Sequence, residues 1–155
     1  MIDDNILLKL AEDFPKSQVS WRLNSKTAIK GNSGETYSLA LAYIDARDVM
    51  DRLDTVVGAS SWQDKYMIES GRTICSIGIL VNGTWVWKTD GCGDTDVEAD
   101  KGAMSDAFKR AAVKWGIGRY LYDIKKVYVP CDCDENGKVK WMRKGINPWD
   151  YVKTK

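Results

Sequence analysis

The chain has 155 residues, 44% of them apolar, and a formal net charge of +1. That length and composition suit one domain with a real core, and no run of about 18 apolar residues is present to cross a membrane as a helix. Histidine is absent, which removes Ser-His and Cys-His nucleophile pairs, an imidazole general base and every His-ligated metal.

The opening stretch, MIDDNILLKLAEDF, begins with acids and lacks the basic segment and small-residue cleavage site of a signal peptide. It reads as the start of a mature, soluble, cytoplasmic protein. Residues 3–13 predict a short helix with Ile6, Leu7 and Leu10 on one side, stopped by Pro15. QVSWRLN alternates enough for a short strand, TAIKGNSGET is a Gly-punctuated loop, and YSLALAYI (37–44) is apolar and strand-like. Asp45 is placed to cap a helix running to about Val57, with Val49, Leu53 and Val56 or Val57 as its buried stripe and Gly58 as its stop.

Three strand-like runs follow at 62–70, 72–81 and 84–90. The Ser-Gly at 70–71 and the Asn-Gly at 82–83 are hairpin signals, so these runs form an antiparallel meander. A long amphipathic helix comes next, ended by Gly116 and Gly118, and then a second hairpin over 126–142 that turns at Asn136-Gly137. The last segment, RKGINPWDYVKTK, is polar and is expected to pack loosely. With few long crossovers this order predicts an α+β fold whose mostly antiparallel sheet packs against the long helix. The chain reads as a single domain over 1–155, with a core at about 18–142, an N-terminal helix and a C-terminal tail.

Charge is unevenly distributed along the chain. Residues 1–100 carry 10 Lys/Arg against 16 Asp/Glu, whereas residues 101–155 carry 13 against 6. Such asymmetry suggests an acidic surface and a basic one. At 100° per residue, Met104, Ala107, Phe108, Ala111 and Trp115 fall on one face of the long helix as its core side. Lys109, Val113, Asp106, Arg110 and Lys114 spread across the other, with Lys101 on the flank. Cations late in a helix also favour its negative end, but only Asp106 is spaced to pair with them. A cationic stripe beside aromatic rings is what tracking a phosphate backbone requires. Tyr120 and Tyr122 follow the helix as candidate stacking rings.

Other constellations have plainer readings beside the functional ones. Asp90, Asp94, Asp96, Glu98 and Asp100 precede the helix and could gather Mg²⁺ for a nuclease, although acids in a first turn also serve as caps. DCDENG (132–137) opens like a calcium loop, but its twelfth position is Arg143 and its flanks are strands, so it reads as a turn. Cys131-x-Cys133 is too tight for the usual zinc spacing. No phosphate-binding G-x-x-x-x-G-K-[ST] occurs, and no ATP use is expected. Trp85 and Trp87 share a strand face and suit packing better than base stacking.

Two stretches, YIDARDVMDRLDTVVGASSWQDK (43–65) and NGTWVWKTDGCGDTDVEADKGAMSDAFKRAAVKWGIGRYLYD (82–123), resemble the conserved core of the Rad52/Rad22 double-strand-break repair family. The Tyr-Ile-acid start of the first helix, the Gly-x-Gly before the long helix and the K-x-A-x-[ST]-D-A-[FL]-K-R-A pattern carry the likeness. VSWRL near residue 20 resembles the short phage and prophage members.

The resemblance implies a β-β-β-α core, assembly into rings, and ATP-independent annealing of single-stranded DNA held in a cationic groove, with no cofactor, no metal and no bond-making chemistry. It implies a place in homologous recombination, a bacterial or phage-infected host cell, and a single-strand-binding protein or exonuclease as possible partners. Lys109 and Arg110 match the family's DNA-binding Lys-Arg pair, and Lys101 matches a basic position at the helix start. The family's arginine in the first helix aligns with Asp48, and the cation here is Arg47, one place earlier, with its side chain turned by about 100°, so whether it takes that role is open in the sequence. A further basic position falls at Val113, beside Lys114.

Overall fold

The structure, a computed structural model, describes residues 4–24, 28–92 and 100–153, with side chains at 100 and 101 outside that description. The chain divides into two compact units. Strand pairing is antiparallel throughout the described residues, as expected, but where one sheet was expected the chain builds two.

The first unit takes residues 1–18 and 44–120. It holds α1 (Asp4–Leu10), α2 (Ala46–Val57), the meander β4 (Trp62–Glu69), β5 (Arg72–Val81) and β6 (Thr84–Gly91), and α3 (Asp100–Lys114). The second unit takes residues 19–43 and 121–155. It holds β1 (Ser20–Leu23), β2 (Ile29–Lys30), β3 (Thr36–Tyr43), β7 (Val127–Cys133) and β8 (Val139–Met142). No helix among the described residues is long and apolar enough to cross a membrane.

The meander follows from its turns. Ser70 and Gly71 have φ of 51° and 78°, and Asn82 and Gly83 have 49° and 82°. Two consecutive positive-φ residues make the tight turn whose twist matches the flanking strands. The register then sets Ile77 opposite Asp64 and Lys88, and Gly78 opposite Gln63 and Trp87. Cys75, Ile77 and Ile79 form a buried row on one face, and α3 packs there, its Trp115 indole donating to the Ile77 carbonyl at 3.0 Å.

The opposite face has its own constraint at Gly78. The Trp87 ring lies so close across it that an added Cβ would come within 2.9 Å of three ring carbons. Lys65 Nζ sits 4.2 Å over that ring, and Trp85 lies 6.3 Å away, tilted by 33°. Trp87 is thus packed between Gly78, Lys65 and Trp85, while Trp85 itself stays exposed. Gly78→Ala must displace Trp87, and an overpacked site costs about 1–3 kcal/mol. A urea melt should show a lower midpoint with an unchanged slope.

In the second unit, β3 is central. It pairs antiparallel with β1 and β2 along one edge and with β7 along the other, and β8 extends the sheet beyond β7. Its core is Ala40, Val127 and Val129, packed by Trp21, Leu23, Ile124, Met142, Ile146, Tyr151 and Val152. The last three of these belong to the C-terminal segment expected to pack loosely. That segment instead folds into a 3-10 turn, Pro148–Tyr151, whose start is capped by Asn147: its side-chain oxygen accepts the Trp149 N–H at 3.1 Å. Trp149 then meets Trp21 edge-on at 5.2 Å. The residues between the polar ones, Ile146, Trp149 and Tyr151, are large enough to hold it down.

A candidate nucleic-acid interface on the third helix

The side of α3 that meets the sheet is made of Ala103, Ala107, Phe108, Ala111, Ala112 and Trp115, all buried. Small residues let the helix axis approach closely, and Phe108 fills the gap toward Trp62, with ring centroids 6.0 Å apart. Trp62 is fixed in turn by its indole N–H, which donates to Asp54 of α2 at 2.7 Å. One expectation fails here. Met104 lies at the middle of the core-facing arc yet is 54% exposed, so helical angle alone does not bury a residue in this helix's first half.

The other side carries the predicted cations. Lys109 is half-buried, and Arg110 and Lys114 are exposed. Arg110 Nε pairs with Asp106 Oδ2 at 3.2 Å, four residues back along the helix. Between two groups that are each about half exposed, such a pair is worth a few tenths of a kcal/mol. It orients the guanidinium without neutralising it deeply. Lys101 lies in the first turn of α3.

How α3 ends matters most for what these cations do. Lys and Arg in a last turn ordinarily serve the helix dipole and the orphan carbonyls. Here the backbone N–H groups of Trp115, Gly116 and Ile117 close on Ala112 O and Val113 O, and the side chains of two residues outside the helix meet Val113 O and Lys114 O. Arg119 donates to Val113 O through Nε at 3.0 Å and Nη2 at 2.7 Å, and to Lys114 O at 3.1 Å. Lys88, reaching across from β6, donates to Lys114 O at 3.2 Å and rests 4.8 Å over the Trp115 ring. Gly116, at φ 93°, lets the chain turn back, and Gly118, at φ 73°, allows Ile44 to approach to 3.0 Å of where a Cβ would be. The side chains of Lys109, Arg110 and Lys114 therefore stand along a helix whose negative end is already met.

Arg47 lies in the first turn of α2, exposed, and α2 packs against α3. Asp48, the residue that the sequence resemblance sets against an arginine, serves its own helix. Its carboxylate accepts the Asp45 N–H at 2.9 Å. That is the return arm of a capping box, and a negative charge there also suits the helix N-terminus. An arginine would lose both. The cation at Arg47 is thus compatible with an α2 start that needs an acid at 48.

Sequence reasoning did not find Lys88 or Arg52. Arg52 donates to Lys9 O, Leu10 O and Glu12 O at 3.3, 2.8 and 2.7 Å and stacks 4.0 Å over Phe14, closing α1 onto α2. Burial holds its guanidinium below the ordinary arginine range. Both contacts join residues far apart in the chain, so no local spacing announces them. Tyr120, a stacking candidate by sequence, is instead structural: its hydroxyl accepts the Phe14 N–H at 3.0 Å, and burial raises its pKa. Tyr122 is 73% exposed.

Of the acidic candidates for a metal, Asp90 has an Oδ1 accepting the Gly91 N–H at 2.8 Å, whereas Asp94, Asp96 and Glu98 lie outside the described residues, as does the side chain of Asp100. Among the described residues no three His, Cys, Asp or Glu side chains gather as a metal site. The DCDENG segment is a turn: Asp134 Oδ1 accepts from Asn136 and Lys138 N–H at 2.9 and 2.8 Å.

Known proteins share this sequence pattern. Over 131 residues the chain is 35% identical to the single-stranded DNA-binding protein DdrA of Deinococcus radiodurans, covering 83% of this chain and 60% of that protein. Over 123 residues it is 35% identical to DdrA of Deinococcus deserti, covering 78% and 58%. The chain thus spans about three-fifths of the length of the curated relatives it matches. Residues 4–138 match the family described as Rad52/22 family double-strand break repair protein. The match runs through α2, the meander and α3 alike, and the chain belongs to that family.

Proposed function

We propose that this protein binds single-stranded DNA and anneals complementary strands, without ATP, in homologous recombination and double-strand-break repair. The observation that carries the reading is the end of α3. Its last two carbonyls, Val113 O and Lys114 O, are already met by the side chains of Lys88 and Arg119, which supports a ligand-binding role for the cations on the helix's outer side. The K-R pair of the family motif falls on Lys109 and Arg110, and the Deinococcus relatives are named as single-stranded DNA-binding proteins.

In this reading Lys101, Lys109, Arg110, Lys114 and Arg47 neutralise phosphates. Contacts to phosphate carry no sequence information, so binding is sequence-tolerant, and bases held outward meet a complement at lower entropic cost. The chain acts as a single functional domain, β4–β5–β6–α3 is its β-β-β-α core, and copies assemble into a ring in the cytoplasm. No covalent step is required, so the protein is not an enzyme in the bond-making sense.

A second reading, coating of single strands without pairing them, is favoured by the relatives' names. Two labelled complementary strands separate the two. Faster pairing with protein than without, in the absence of ATP and metal, is expected for an annealing protein. Slower pairing identifies a coating protein.

A further inference from the structure

Strand β7 carries two thiols for which DNA binding has no use. Cys131 is fully buried, in the row of Val127 and Val129 that faces the core of the second unit, and Cys133 is half-buried near the strand's end. The ladder to β8 slips between Asp132 and Cys133, and the two thiols, two residues apart on one strand, lie on the same face of it. Met142 stands directly opposite Cys131 across the ladder, which places its side chain on the same face, and it packs on the same core. Three sulfur atoms are thus brought to one side of one hairpin.

The surrounding chemistry selects among ions. The carboxylates in this segment are engaged elsewhere: Asp132 accepts from the Trp141 indole at 2.9 Å and pairs with Arg143 at 3.5 Å, and Asp134 closes the turn. The chain has no histidine. Zinc would need about four N, S or O donors, and calcium or magnesium would need oxygens, so neither suits. Soft, low-coordinate ions do suit thiolate and thioether donors. A disulfide is the less favourable use of the pair, since residues i and i+2 of a strand lie about 6.6 Å apart, near the far limit of about 6.8 Å for a bridged pair.

We propose that Cys131 and Cys133, with Met142 as a third donor, form a binding site for a monovalent soft metal ion of the copper(I) class. Binding is a proton exchange with no change of oxidation state. Two thiols lose their protons, two thiolate–Cu bonds and one dative thioether–Cu bond from Met142 form, and the site carries one net negative charge. Entry is from the Cys133 side, the more exposed of the two.

The test uses the full chain, reduced and anaerobic, titrated with copper(I) against the competing chelator bicinchoninate. One ion per chain should be withheld from the chelator, with a sulfur-to-copper charge-transfer band in the ultraviolet and about two protons released per ion near neutral pH. Cys133→Ser should lose retention and the band while keeping its far-ultraviolet dichroism. Cys92→Ser, whose thiol faces Thr73 O in the other unit at 3.6 Å, should match wild type. Met142→Leu should keep the stoichiometry and bind about tenfold more weakly, in the range of supporting-ligand losses. Retention by Cys133→Ser equal to wild type, no retention by wild type, or zinc(II) held as tightly as copper(I) would each overturn the proposal. An unaltered Met142→Leu would remove the third donor.

Discussion

A Lys109→Ala/Arg110→Ala chain is expected to keep its fold and lose strand annealing. The ion pair of Arg110 with Asp106 joins two half-exposed groups, and neither Lys109 nor Arg110 belongs to the buried arc on which α3 packs. Stability should therefore fall by less than about 1 kcal/mol, and alanine, the best helix former, offsets part of that. DNA binding should change in a different way. Each phosphate contact to a single strand adds about 0.7 to the steepness of log K against log salt, so losing two should flatten the slope by about 1.4. Affinity at low salt should drop more than about tenfold, equally for all sequences. A variant that anneals and shows the same salt slope as wild type would move the DNA path off this helix.

Trp115→Ala is expected to have the largest effect on stability. The indole is 2% exposed, donates to Ile77 O and carries Lys88 on its face. Truncation leaves a cavity, removes the indole's hydrogen bond and takes away the ring on which Lys88 rests. Buried Trp→Ala changes cost about 3–5 kcal/mol, and for a chain of this size the melting temperature should fall by roughly 10 °C. Denaturant unfolding of the variant measures it. A loss under about 1 kcal/mol would mean that α3 is held to the sheet mainly by Phe108 and its alanines.

How much of this was legible beforehand depended on the range of the interaction. The meander announced itself because Ser70-Gly71 and Asn82-Gly83 are local turn chemistry, and the outcome is two consecutive positive-φ residues at each. The α2 start was equally local, set by Asp45. The short β2 was not visible, since Ile29 and Lys30 gain strand geometry only by pairing with Tyr37 and Thr36. Nor was the C-terminal turn, which depends on Trp149 meeting Trp21 from the far end of the chain. At the candidate interface, the periodicity located Lys109, Arg110 and Lys114 on the outer side of α3, and it misplaced Met104. The partners of the helix end could not be read, because Lys88 reaches α3 from a strand well upstream in the chain.

That closure of α3 by residues outside its last turn has an evolutionary consequence. When a helix relies on its own final residues to satisfy its end, those positions are tied to stability and cannot drift far. Here Lys88 and Arg119 carry that duty. Positions 109, 110, 113 and 114 are then less tied to that duty, and their charge can change at small cost to the helix end. A basic residue can sit at 113 or at 114 without the helix end coming undone.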